Sequence, residues 1–324
     1  MTTNLSLLRK WREETIATVG SDYQKLNTFH DELIRKAFLI AIEKVKSVQG
    51  DPPAHFAFFL MGSSGRGEQS VWSDQDHGMI FDGSEKCNSY FLALGEEVST
   101  IMSELGYAYC DGKVMSSNPL WCKSKQQWQK QIEDWLDEQS WESIRHFTTF
   151  FDSRVLIGDQ QLLLELKEYV FLRLERDHGL YQRFVENVSH LKKGIGLFGQ
   201  LLTTDHGEEA GTINMKEKVF FLYVNSLRIL ALKEGLTVAS TISRFNNLPD
   251  SYETIKGYKK DFVDLLQFRL AFQKDSKSYE NVHLLKISRL TKQEKQELKR
   301  IMKNGYKLFA DTRAIIEKGV QNGD

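Results

Sequence analysis

Phe29, Leu33, Ile34, Ala37, Ala41 and Val45 recur at three- and four-residue spacing, so about Thr28 to Val48 carries one apolar helical face. Residues 1–49 therefore read as helix, stopped by Gly50-Asp51-Pro52-Pro53, where proline neither donates in a helix nor tolerates a helical predecessor. The period then changes. Phe56 to Met61 and Met79 to Phe81 are unbroken apolar runs of strand length, joined through Gly62-Ser63-Ser64-Gly65-Arg66-Gly67 and a polar segment. Helical spacing returns from Asn88 to Leu105 and ends at Gly106. Tyr107 to Met115 reads as a third strand and Ser116-Ser117-Asn118-Pro119 as a turn. Strand, strand, helix, strand without βα alternation predicts a small mixed sheet with helices on one face, and not a doubly wound dinucleotide fold.

From Ser124 onward the pattern predicts helices at 124–138, 141–151, 160–176, 180–200, 215–234, 251–273 and 291–318. Thr291 with Glu294 makes a capping box for the last, and Leu201 to Thr212 is a long loop. The fold class is α+β: an N-terminal helical segment (1–50), a sheet domain (51–150) and a C-terminal helical bundle domain (151–324).

Composition narrows the class of protein. The 324 residues suffice for two cores, and 41% hydrophobic with 27% charged content is ordinary for a soluble chain. A net charge of −1 argues against a general polyanion binder, although Lys256 to Asp324 holds 16 Lys and Arg against 9 Asp and Glu. Solvated helix faces explain that excess better than a nucleic-acid surface does. Cys87, Cys110 and Cys122 lack C-x-x-C spacing, which fits a reducing compartment and argues against structural zinc. The N-terminus lacks a signal peptide's apolar region, and Val219 to Leu232 is too short to span a bilayer. The expectation is a cytoplasmic protein with no membrane partner; nothing in the pattern sets its oligomeric state.

Chemistry concentrates between residues 56 and 83. Gly62 and Gly67 have P-loop spacing, but Glu68-Gln69 stand where Lys and Ser/Thr are required. The order G-x-x-G-x-G also fails the dinucleotide fingerprint. A glycine turn at a strand end lets backbone N–H groups approach an anion, so Gly62 and Ser63 are candidate phosphate contacts. Asp74 and Asp76, at i and i+2 on an extended segment, point to one side and suit a divalent metal, Mg²⁺ or Mn²⁺, beside those phosphates. Arg66 is a candidate clamp for phosphate or for the fold's own carboxylates. The bland alternative is a tight hairpin with solvated carboxylates and an Arg66–Glu68 brace. Trp121, Trp128 and Trp135 read as core, Cys110 as a small buried apolar residue, His146 and His178 as structural or surface histidines, and Asp152 with Arg154 as a structural pair.

Gly62-Ser63-Ser64-Gly65-Arg66-Gly67-Glu68-Gln69 followed by Ser73-Asp74-Gln75-Asp76 resembles the nucleotidyltransferase core of the DNA polymerase β superfamily. The likeness is nearest to nucleotidyltransferases related to the PII uridylyltransferase. It extends through Cys110 to Pro119, Phe151 to Asp159, Gly211 to Lys216 and Arg228 to Leu232, and no stretch of these 324 residues is expected to form the CBS or cyclic-nucleotide-binding modules often linked to that family. The resemblance implies a polymerase-β-like sheet domain. It implies transfer of a nucleoside monophosphate from a nucleoside triphosphate to an acceptor hydroxyl of a protein or small molecule, as in signal transduction. Asp74 and Asp76 would hold the metal. Asp111, the acid of the segment after the intervening helix, would be the third catalytic carboxylate. Lys216 would be a nucleotide contact from the helical domain. His77 stands where the family often has Asn, and Asn214 where it often has Asp. A catalytically silent nucleotide-binding regulatory module is the alternative.

Overall fold

The computed structural model describes residues 2–190, 193–205, 207, 209–273, 279 and 282–322. The chain divides into two compact units, Met1–Arg173 and Leu174–Asp324.

The first unit opens with α1 (Thr2–Val19) and α2 (Tyr23–Gln49), interrupted around Gly20. Asp22 starts the second helix: its carboxylate accepts from the N–H groups of Gln24 and Lys25, at 2.9 and 3.1 Å. Next come β1 (His55–Leu60), the short helix α3 (Gly62–Arg66) and β2 (His77–Asp82), which pairs antiparallel with β1 from His55↔Asp82 to Leu60↔His77. After α4 (Asn88–Glu104), β3 (Cys122–Ser124) joins β2 in parallel. Then α5 (Lys125–Glu138), α6 (Trp141–Phe151), β4 (Arg154–Gly158) and α7 (Gln160–Leu174) follow. The strand order is β3-β2-β1-β4, a small mixed sheet as expected.

Helices cover both faces of this sheet, not one. Phe29, Leu33, Phe38 and Ala41 of α2 and Phe91, Leu94 and Val98 of α4 pack with Phe58, Leu60, Met79 and Phe81 in one core cluster. On the opposite face, the Phe59 ring lies 5.7 Å from Trp128 and 6.3 Å from Phe150, so α5 and α6 complete the sandwich. Two-sided burial is the reason β1 is apolar at consecutive positions where a half-solvated strand would alternate. The three tryptophans are core: Trp121 and Trp128 are fully buried, and the Trp128 indole N–H donates to Met79 O at 2.9 Å. His146 sits between Trp121 and Trp135, 5.6 Å from each ring.

Two further corrections concern strands. Residues 107–115 do not form one: a turn at 111–112, with Lys113 at φ 54°, breaks the segment after a single parallel bridge between Ala108 and Asp74. The third strand comes later, at Cys122. The fourth, β4, is hidden among helical signals because five residues with no alternation cannot be told from a helix start.

In the second unit, α8 (Gly179–Val188) is shorter than expected, and an antiparallel bridge joins Ile195, in the stretch expected to continue it, to Leu201 at the start of the expected loop. An antiparallel pair of distant short strands, β5 (Thr212–Asn214) with β6 (Leu284–Lys286), has no counterpart among the expected elements. Between them run a π-helical stretch (Lys216–Phe220), α9 (Phe221–Lys233), α10 (Thr241–Asn247), α11 (Glu253–Lys256) and α12 (Lys259–Gln273). The last helix, α13 (Lys292–Asn322), begins with the expected capping box: the Thr291 N–H donates to Glu294 Oε2 at 2.7 Å, and the Glu294 N–H to Thr291 Oγ1 at 3.2 Å. Among the described residues, no helix is long and apolar enough to cross a membrane.

Candidate functional site

Strand register builds the site. Because Leu60 pairs with His77, the residue after β1 meets the residue before β2, and the Met61 N–H donates to Asp76 O at 2.8 Å. The chain then turns at Gly62, whose φ of 55° lies in the left-handed region. A β-carbon there would fall 2.1 Å from Asp76 Oδ2, so the absent side chain is what lets the turn and the carboxylate share this space. Gly65 is held to glycine by backbone, since its β-carbon would meet Asp152 O at 2.0 Å. The first N–H groups of α3, including those of Gly62 and Ser63, have no intrahelical acceptor, as at any helix start.

Buried partners hold the aspartate segment. Alternation sends Ser73, Gln75 and His77 inward and leaves Asp74 and Asp76 half-buried. The Gln75 amide donates to Ser99 O at 3.0 Å and Tyr107 O at 3.3 Å. His77 Nδ1 accepts from the Ser116 backbone N–H at 3.1 Å, which puts the ring proton on Nε2, facing Gln75 Oε1 at 3.2 Å. Burial lowers the His77 pKa to about 3, so this ring is a neutral prop. His30 is a second such prop, held between the Tyr107 hydroxyl (2.7 Å) and Ser70 O (2.9 Å), and burial likewise lowers its pKa to about 3.

Asp74 and Asp76 do not stand alone. One ligand atom from each, together with Cys110 Sγ, lie within 4.8 Å of one another. The parallel bridge explains the meeting: the Gln75 N–H donates to Ala108 O at 2.9 Å, the Ala108 N–H to Ser73 O at 3.2 Å, and Cys110 follows two residues on. Burial and the negative charge of Asp76 push the Cys110 thiol up to about 12, so it stays protonated at neutral pH. The sequence alone makes Cys110 a bland apolar residue, and only this bridge, absent from the expected pairings, could flag it. Asp111, the expected third carboxylate, is exposed on the following turn and outside this group. Two carboxylate oxygens and a sulfur converging at this spacing fit a divalent cation.

Arg66 braces the turn. Its guanidinium donates to Glu68 Oε2 and Asp152 Oδ2, each at 2.7 Å, with both carboxylates buried. Burial opposes the cation, but these two charges outweigh it and hold the Arg66 pKa above the ordinary arginine value. Arg154 works from the other side, donating to Asp31 at 2.8 and 2.5 Å and to the carbonyls of Ser64 and Gly65. Asp152 and Arg154 thus serve the glycine turn, each through its own partner. Lys216 belongs to the second unit, exposed at the start of the π-helical stretch.

No curated protein matches the chain. Two family models do: one described as Putative nucleotidyltransferase DUF294 over residues 12–142, the other as Putative nucleotidyltransferase substrate binding domain over residues 178–313. The glycine turn and aspartate pair lie inside the first match and Lys216 inside the second, and the chain belongs to the DUF294 family of putative nucleotidyltransferases.

Proposed function

We propose that this protein transfers a nucleoside monophosphate from a nucleoside triphosphate to an acceptor hydroxyl, of a protein side chain or small molecule, releasing pyrophosphate. The observation that carries the proposal is the closeness of the Gly62 turn to Asp76, whose Oδ2 would lie 2.1 Å from a β-carbon at Gly62. The Gly62 and Ser63 N–H groups would donate to phosphate oxygens, and Asp74 and Asp76 would hold Mg²⁺ or Mn²⁺. When bound, that ion offsets triphosphate charge and polarises the phosphoryl group under attack. Arg66 contributes by keeping the turn rigid. For the second unit we propose that Lys216 binds an anionic group of a substrate. Where the acceptor needs a base from the segment after α4, Asp111 is the carboxylate on it, and Asp111→Asn would slow transfer without weakening metal binding.

A second reading, a nucleotide-binding regulatory module without chemistry, is favoured by one observation: a thiol, not a third carboxylate, accompanies the aspartate pair. One experiment separates the two. The protein is incubated with each α-labelled nucleoside triphosphate, Mg²⁺ or Mn²⁺, and a cell extract. Label on an extract component that vanishes in the Asp74→Asn, Asp76→Asn double variant supports transfer. Binding without label, or transfer undiminished in the double variant, overturns it.

A further inference from the structure

The third group beside Asp74 and Asp76 is sulfur, and its placement is set by the backbone. Cys110 follows the Ala108–Asp74 bridge by two residues, and its own carbonyl accepts from the Lys113 N–H at 2.8 Å, closing the turn behind it. The three ligand atoms lie within 4.8 Å of one another, all on half-buried residues. One ion with bonds of roughly 2.0–2.3 Å can therefore reach all three with small side-chain rotations. Mg²⁺ gains little from such a set, because it prefers oxygen and keeps its waters. Thiolate ligands select transition metals higher in the affinity series.

We propose that Cys110 is a protein ligand of the metal site, and that it makes the site prefer a sulfur-accepting transition-metal ion of the Zn²⁺ or Co²⁺ class over Mg²⁺. This rests on the aspartate pair being the metal site of the proposed transferase. On binding, the Cys110 thiol loses its proton to solvent and the freed sulfur lone pair forms the bond to the ion. Two carboxylates and one thiolate leave a coordination position for water or a phosphate oxygen, as in catalytic sites with three protein ligands.

Co²⁺ titration of the full chain, followed by absorption, tests the assignment. Wild-type protein should show visible d–d bands together with a near-ultraviolet thiolate-to-cobalt charge-transfer band. The Cys110→Ser variant should lose the charge-transfer band and bind Co²⁺ and Zn²⁺ more weakly by on the order of tenfold or more, given that even outer-shell changes cost that much. A Cys87→Ser, Cys122→Ser variant should keep the band. Cobalt binding without the band in wild type, no cobalt binding, or a band that persists in Cys110→Ser overturns the assignment. The two readings fail separately: transfer lost in the double asparagine variant with no sulfur–metal band leaves the transferase standing and removes Cys110. A band with no transfer under any ion does the reverse.

Discussion

Gly62 and Asp76 occupy each other's space: a β-carbon on one would lie 2.1 Å from the carboxylate oxygen of the other. The turn that would receive phosphate and the acid that would hold metal are thereby one mechanical unit, linked also by the Met61–Asp76 backbone hydrogen bond.

Gly62→Ala should therefore damage the site more than the fold. The left-handed conformation costs a non-glycine residue about 1–2 kcal/mol, which urea unfolding would register. Displacement of Asp76 should weaken Mn²⁺ binding by on the order of tenfold, read by paramagnetic resonance of the free ion. Unchanged Mn²⁺ affinity would mean that Asp76 is not held by this contact.

Arg66 is a different case. Its two carboxylate partners are buried, with side-chain exposures of 3% for Glu68 and 0% for Asp152, so losing the guanidinium removes a buried counter-charge from both. Arg66→Met should cost about 3–5 kcal/mol of stability. Arg66→Lys should recover only a fraction of it, because one ammonium cannot reproduce the fork that spans the pair. Equal stability of the lysine variant and wild type would remove the argument.

Arg154 joins Asp31 of α2 to the carbonyls of Ser64 and Gly65. In Arg154→Lys the planar fork is lost, and hydrogen exchange of the amides from 62 to 68 should accelerate while those of β2 change little. Uniform acceleration across the first unit would point to general destabilisation instead.

The buried neutral histidines set an acid limit. For His30 and His77 the folded pKa lies near 3, below the unfolded value of about 6.5, so the unfolded chain binds protons that the folded one refuses. Stability is full above pH 6.5 and falls as pH drops through the window between 6.5 and 3. The two together should remove roughly 3–4 kcal/mol from the first unit between about pH 7 and pH 5, before most carboxylates titrate. Urea midpoints across that range check it; a flat profile would contradict the burial of both rings.

Much of this is legible in one dimension. The apolar face of α2 and the unbroken run of β1 follow from side-chain period, and Gly62, Ser63, Asp74 and Asp76 stand out as a turn beside an i, i+2 pair. Local chemistry suffices there, because a glycine turn and an alternating strand express their geometry within a few residues. The partners of that motif are not legible. Arg66 could face phosphate or carboxylate, and no local pattern announces that it meets Asp152, 86 positions away.

The third member of the cluster shows the same limit from the other side. Sequence order favours Asp111, an acid in the right segment, over its neighbour Cys110. Pairing in β structure alternates faces, so one residue of register separates a group inside the cluster from one in solvent. The Ala108–Asp74 bridge sets that register. Residue types and local periods determined which elements form and which side chains can do chemistry. Strand register, fixed only when distant segments pair, decided that the group meeting Asp74 and Asp76 is a thiol.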